Sequence, residues 1–319
     1  MANLIHQEIP MRHNFLGNTE LRVSALGLGG STLGSVFGAV DQTQGIRIVH
    51  RALAMGVNYF DVAPAYGSTR AETVLGAALF GIPRDRYVLS TKVGQYGDAG
   101  TDFSPTRVVH ELEQSMKRLG VNHIDVVYCH DIEYVDIDYV ITHTIPALRQ
   151  LQAQGKIGLV GVSGYPLAIF PKVLAATTID AVIAYCHLML SNTRLQKMLP
   201  LFANRKVGVV NAAPLGMGLF TPQGPPDWHP ATPQIKAVCA EAVAFCAAQG
   251  VDIAQLALQY AVAQAGVAST LASASSIAEI EKNVIALESP VDYELVARVQ
   301  AILAPIRDVS WQTGRPENN

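Results

Sequence analysis

Three apolar runs in the first 130 residues each stop at a polar side chain. Val57 to Phe60 ends in Asp61, Tyr87 to Thr91 ends in Lys92, and Ile124 to Cys129 ends in His130. Tyr66 follows Asp61 by five residues, in an Ala-Tyr-Gly loop. A free phenol holds its proton to a pKa of about 10. A neighbouring ammonium favours the phenolate, and a buried carboxylate holds that ammonium in place. The tuned phenol can then exchange a proton with a hydroxyl or carbonyl oxygen that an imidazole orients. If a hydride moves at the adjacent carbon, the pair of transfers is alcohol oxidation or carbonyl reduction. Each residue also has a bland reading: a structural tyrosine, a strand-end ion pair, a rim histidine. Four such groups at the ends of three consecutive strands outweigh those readings, because position and chemistry agree.

Short apolar runs separated by helix-like stretches read as buried parallel strands, and α/β enzymes do their chemistry at the carboxyl ends of such strands. Strands are expected at Ala25 to Gly29, before Asp61, before Lys92, and at Ile124 to Cys129. Four more are expected at Gly158 to Ser163, Ala181 to Tyr185, Val207 to Asn211 and Val267 to Ala272. Helices are expected between them. Ile46 to Met55 stops at Gly56, Ala71 to Leu79 follows Tyr66, and Ser104-Pro105 opens a third as cap and first-turn proline. Tyr139 to Gln154 stops at Gly155, and Ile235 to Ala248 and Ile253 to Gln264 come late in the chain. Eight strand–helix units with no linker predict one (β/α)₈ TIM-barrel domain across residues 1–319. A hairpin over Phe15 to Val23, turning at Gly17-Asn18, precedes the first strand and could plug the amino-terminal mouth. The glycines of Gly27-Leu28-Gly29-Gly30 do not open a helix at dinucleotide-fold spacing.

The composition is that of a large interior: 319 residues, 50% hydrophobic, 15% charged, net charge −3. No Lys/Arg stripe suggests nucleic acid, and no apolar segment approaches the ~20 residues of a membrane span. The amino-terminal MANLIHQEIPMRH lacks the basic-then-apolar order of a signal peptide. Cys129, Cys186, Cys239 and Cys246 form no close ligand pair, so no metal site is expected. Buried free thiols in a reducing, cytoplasmic setting are the expectation instead.

Several strings resemble the aldo-keto reductases: Asp61-Val62-Ala63-Pro64-Ala65-Tyr66-Gly67 with Glu72, Ser90-Thr91-Lys92, His130, and Gly161-Val162-Ser163. The resemblance runs from about Arg12 to Trp311. It implies a barrel that binds a nicotinamide dinucleotide without a Rossmann domain, with Asp61, Tyr66, Lys92 and His130 as catalytic tetrad. Within that family, Gly34 to Gly38, Cys129 to Glu133, Gly224 to Pro230 and Val309-Ser310-Trp311 are similar to plant-type L-galactose dehydrogenases. Those enzymes oxidise a sugar at C1 to the lactone with NAD. L-Fucose and D-threo-aldose 1-dehydrogenases, an NADPH-dependent carbonyl reductase, and a cofactor-sensing channel auxiliary subunit are the other readings.

The resemblance further places the pyrophosphate at Ala213-Pro214-Leu215-Gly216-Met217-Gly218, whose small residues allow close backbone approach. Gly30, Ser163, Gly164 and Tyr185 join the cofactor set. The family's ring over the nicotinamide falls near Ala212, which has none. The adenosine end is implied at Ser273, Ser275, Ser276, Glu279 and Asn283. A serine and a carboxylate at Ser273 and Glu279 cannot neutralise a 2′-phosphate, which favours NAD over NADP. Ser275 or Ser276 is equally a plain helix cap. Phe37, Asp131 and Trp228 are the substrate-side candidates, since aromatic faces pack on sugar C–H surfaces and a carboxylate accepts hydroxyl bonds. Trp311 ranks below Trp228, and Glu133 reads as solvated or functional in equal measure. The partner is thus a small aldose, and the sequence leaves oligomeric state open.

Overall fold

The structure is a computed structural model that describes residues 11–319. The amino-terminal segment read for a leader lies, for residues 1–10, outside the described residues.

Two short strands, β1 (His13–Phe15) and β2 (Arg22–Ser24), pair antiparallel ahead of the barrel. Eight parallel strands then close on themselves. They are β3 (Leu26–Gly29), β4 (Tyr59–Asp61), β5 (Val88–Val93), β6 (Ile124–Cys129), β7 (Ile157–Gly164), β8 (Ala181–Tyr185), β9 (Gly208–Ala212) and β10 (Ser269–Ala272). The ring closes where β10 pairs with both β9 and β3. The expected strands before Asp61 and Lys92 extend to include those residues. The seventh and eighth begin one and two residues later than the apolar runs.

Side chains alternate across each strand. In β4, Tyr59 packs in the barrel interior and Phe60 in the layer beneath the helices. In β6, Val126 and Tyr128 face in while Val127 and Cys129 face out. The outer layer joins these residues to Ile48, Val74, Leu112 and Leu148 of the covering helices.

Local chemistry sets the helix ends. Asp41 caps Gln42–Ala54 by accepting from Gln44 N. Ser104 caps Pro105–Leu119 through Arg107 N, and Gly120 ends that helix at φ 70°. The helix expected from Tyr139 is broken into Ile137–Tyr139, a π-helical Val140–Thr144, and Ile145–Ala153. Pro146 in its first turn has no N–H to give a carbonyl four residues back, so the turn widens.

A further expectation changes. The hairpin connection is not a two-residue turn but residues 16–21, closed by Leu16 N to Leu21 O at 2.9 Å. Leu16 is drawn into the barrel floor, fully buried beside Val23, Val88, Val126 and Ala268. Gly17, at φ 64°, rests on the Gly208 backbone, where a Cβ would collide. Helix Pro233–Ala248, moreover, packs with Tyr293–Ile302 around Cys239, Ala242, Leu295 and Val299 in a second core on the flank. Ile253–Val262 lies between that core and the barrel, with Leu256 facing one and Leu258 the other. All four cysteines are buried and free. Among the described residues no single helix is long and apolar enough to cross a membrane.

Candidate active site

The carboxyl ends of the strands open into a cavity of about 1030 Å³. Alternation brings Asp61, Lys92 and His130 to its floor, and the loop after β4 returns Tyr66 over them. Lys92 Nζ donates to Asp61 Oδ2 at 2.6 Å, to Val62 O at 3.0 Å and to the Tyr66 oxygen at 3.2 Å. Ser90 Oγ donates to the other carboxylate oxygen, Asp61 Oδ1, at 2.7 Å. The Tyr66 and His130 rings meet edge to face, centroids 5.7 Å apart.

The ammonium stays charged. Burial works against it, but the Asp61 carboxylate and the bond to Tyr66 outweigh burial and raise its pKa. Tyr66 departs from the expectation of a lowered phenol. Burial raises it, and Lys92 is the largest opposing influence. Lys92 thus limits an upward shift rather than producing a net downward one. Burial pushes His130 down to about 4, despite the nearby Asp131 carboxylate, so the imidazole is neutral near pH 7. A neutral ring orients an oxygen by hydrogen bonding and carries no charge to the site.

Asp131 lines the cavity with its backbone in the left-handed region, φ 47°. Ser163 Oγ holds it there by accepting from Asp131 N and donating to Asp131 Oδ1, both at 2.9 Å. Its other oxygen lies 3.6 Å from His130 Nε2. Phe37 and Trp228, from the loops after β3 and β9, meet across the mouth with centroids 5.5 Å apart. Both rings are about half-exposed and both line the cavity.

Ser163, Tyr185, Ala213, Pro214, Leu215 and Gly218 also line it, with Ser273, Ser275 and Glu279 at the far end. Ala213, Gly216, Met217 and Gly218 all have positive φ, so the loop after β9 is sharply curled. Five of the expected cofactor residues lie off the cavity wall. Gly30 packs on β4, donating to Asp61 O at 2.7 Å, and a Cβ there would press on Val62. Gly164 abuts Ile169 and Glu133 in the same way. Gly216 lies in the curl, its N–H donating to Ala213 O. Ser276 caps Ile277–Ile285 through Glu279 N at 3.1 Å, and Asn283 reaches the Ser273 carbonyl at 3.5 Å. Glu279 turns back on Ser275, accepting from its N and Oγ at 2.7 Å each. That reciprocal cap leaves the carboxylate on the cavity wall.

Sequence reasoning missed Ser31, Thr32 and Gln223, which line the cavity from loops of no evident chemistry, while Met217, named within the expected pyrophosphate loop, also lines it. Ser90 had a signal: it stands two residues before Lys92 on the same strand face. Glu133, read as solvated or functional, is fully buried. Its Oε1 accepts from Tyr165 N and the Tyr185 hydroxyl at 3.1 and 3.2 Å. Trp311 stacks on Tyr165, centroids 4.8 Å apart, and stays out of the cavity.

The sequence was compared with known proteins. The Aldo/keto reductase family model matches residues 25–304. L-Galactose dehydrogenase of Arabidopsis thaliana is 42% identical over 312 residues, 95% of this chain and 98% of that one. D-Arabinose 1-dehydrogenase of Saccharomyces cerevisiae is 32% identical over 292 residues, 86% and 84% of the two chains. An aldo-keto reductase from Bacillus halodurans, solved in its holo form, superposes with a TM-score of 0.78 at 28% identity, covering 96% and 99%. An eight-stranded parallel barrel, a floor of Asp, Tyr, Lys and His, and a family match over nearly all of it lead to one assignment: the chain belongs to the aldo/keto reductase family of oxidoreductases.

Proposed function

We propose that this protein is an NAD-dependent sugar 1-dehydrogenase that oxidises the C1 hydroxyl of an aldose, L-galactose in preference, to the lactone. The observation that carries the reading is the single ammonium of Lys92, bonded at once to Asp61 and to the Tyr66 oxygen on the cavity floor. The Arabidopsis and yeast relatives, both named for sugar dehydrogenation, support the substrate class.

The residues present fit a nicotinamide dinucleotide. The cavity matches the upper end of ordinary ligand pockets, ~1,000 Å³, and suits a long cofactor with a sugar beside it. Ala213 to Gly218 would hold the pyrophosphate on its curled backbone, and Ser273, Ser275 and Glu279 the adenosine ribose. Lys92 is the one cationic side chain among the described residues lining the cavity, so nothing at the far end would neutralise a 2′-phosphate. When bound, NAD supplies the acceptor for the hydride that leaves C1.

The protein's own groups manage the proton. Tyr66 takes it from the anomeric hydroxyl, which requires the phenolate, so oxidation speeds up as pH rises through the Tyr66 pKa. Lys92 stabilises the oxygen that becomes anionic, and Asp61 keeps Lys92 aimed at it. Neutral His130 hydrogen-bonds the substrate oxygen and fixes its approach. Phe37 and Trp228 offer apolar faces to the pyranose at the mouth, and Asp131 accepts from a sugar hydroxyl. An NAD-reduction screen across aldoses of both enantiomeric series tests the reading, with lactone identified as product. Failure of every aldose to reduce NAD, or faster carbonyl reduction with NADPH, would overturn it.

A further inference from the structure

Beneath the tetrad three buried hydroxyls of the barrel interior form a row. Tyr59 and Tyr128 face inward among apolar side chains, and Ser90, which bonds the inward-facing Asp61, joins them. The Tyr128 and Tyr59 oxygens are 3.2 Å apart, Tyr59 and Ser90 oxygens 3.2 Å, and Ser90 Oγ and Asp61 Oδ1 2.7 Å. A hydroxyl has one proton, and an ionised carboxylate can only accept. Ser90 must therefore give its proton to Asp61 and accept from Tyr59, which accepts from Tyr128. Burial raises the pKa of both phenols, so both keep the protons this order needs.

The chain has no exit. Tyr59, Ser90 and Tyr128 are each fully buried, and the hairpin residues Leu16 and Val23 close the floor below them. A sealed row of hydroxyls cannot pass a proton to water, so it acts by its dipoles, all pointed at one carboxylate. Buried polar groups are costly unless bonded, and this row satisfies them by spending the last donor on Asp61.

We propose that Ser90, backed in turn by Tyr59 and Tyr128, is a positioning residue that steadies the Asp61 carboxylate so that Lys92 can serve Tyr66; the inference rests on the tetrad reading above. Donation to Oδ1 disperses the carboxylate charge and holds Oδ2 toward Lys92. Without it, Asp61 draws the ammonium proton more strongly, the Lys92–Tyr66 bond weakens, and the phenolate loses support. The hairpin plug thereby contributes to the site by keeping the row dry.

The test needs no substrate. Tyr66 ionisation can be followed by NMR of ring-labelled tyrosine, its resonance assigned by loss in Tyr66→Phe. Ser90→Ala should raise the Tyr66 titration by about one pH unit, equivalent to one hydrogen bond to a charged group. Tyr59→Phe should give a smaller shift of the same sign, Tyr128→Phe the smallest, and Ser90→Thr should restore the wild-type value. The pH profile of kcat/KM should move in the same order. An unshifted Tyr66 in folded Ser90→Ala would overturn the proposal, as would a Tyr128→Phe shift as large as that of Ser90→Ala. If Ser90→Ala does not fold, an unshifted Tyr66 in Tyr59→Phe would overturn it too. If no aldose reduces NAD yet the graded shifts appear, the substrate reading fails and the hydroxyl row stands.

Discussion

Two sides of one cavity handle buried carboxyl groups in opposite ways. On the β4–β5 side, Asp61 has Lys92 against one oxygen and Ser90 on the other. On the β7–β8 side, Glu133 is buried with hydrogen bonds from Tyr165, Tyr185 and Thr313 but has no ion-pair partner among the described residues. Burial, with Asp131 adding to it, raises Glu133 to about 8. The Lys92 ammonium, equally buried, stays charged because a counter-charge touches it. The lesson concerns pairing: a low-dielectric wall keeps charge where it supplies the opposite charge and removes it where it does not. The first side holds an ion pair against the Tyr66 oxygen. The second buries Glu133 behind the cavity with no counter-charge among the described residues, and is closed by a tail whose Arg315 N and Asn318 Nδ2 both donate to the Glu133 carbonyl at 2.9 Å.

The largest effect should come from deleting the proposed proton-transfer group on the charged side. Tyr66→Phe should reduce turnover by ~10²–10⁴-fold, the usual worth of acid–base catalysis. NAD affinity, measured by fluorescence titration, should stay close to wild type. A variant retaining most of its activity would remove the phenol from the chemistry.

Removing the cation comes next. Lys92→Met should lower kcat/KM by roughly tenfold to a hundredfold, equivalent to one charge-assisted hydrogen bond. It should also move the rising limb of the oxidation profile to higher pH, because burial then raises Tyr66 unopposed. A still-active variant with an unmoved limb would break the coupling on which the charged side depends.

At the proposed adenosine end the comparison becomes one of cofactor choice. Ser273→Lys with Glu279→Arg should raise kcat/KM for NADP about tenfold while leaving the sugar KM near wild type. Two unit charges ~4 Å apart interact by about 4 kcal/mol at an effective dielectric of 20, so a screened remnant is sufficient. Glu279→Gln alone separates lost repulsion from gained attraction, since the amide can still accept from Ser275. Equal use of both cofactors by the wild type would contradict the assignment of this end.

The smallest effect is on stability, from the neutral side. Glu133 is raised in the fold from an ordinary value of 4.5 to about 8, so between those values the folded state holds a proton that the unfolded chain has lost. Stability from this group is therefore greatest below pH 4.5 and falls as pH climbs to about 8. Glu133→Gln should flatten that slope, with Tm gaining more over wild type at pH 8 than at pH 5. Parallel Tm curves for the two proteins would mean that a cation reaches Glu133 after all.

Much of the charged side was legible because its information is local. Apolar runs mark strands, a run's last residue marks the carboxyl mouth, and alternation settles which side chain faces in. Asp61, Lys92 and His130 follow from those rules, and Tyr66 lies one short loop away. The same rule reaches Ser90, which the reading passed over because a serine inside a strand looks inert until its neighbours are known. The neutral side resisted because its contacts are remote in sequence. Glu133 meets Thr313 from 180 residues away, and Trp311 meets Tyr165 across 146. Nothing in Glu133's own neighbours says that the tail will exclude water from it.

The sequence by itself determined the barrel, the strand ends at Asp61, Lys92 and His130, and the caps of the main helices, because hydrophobic period and capping act over a few residues. Tertiary structure alone decided how buried each ionisable group is, and therefore its charge. It turned an expected lowering of the Tyr66 pKa into a net rise and made Glu133 a buried group rather than a solvated one. It used Gly30 and Gly164 for close packing and brought Phe37 and Trp228 together over the mouth. Desolvation depends on every element that closes around a group, and that sum exists only once the chain has folded.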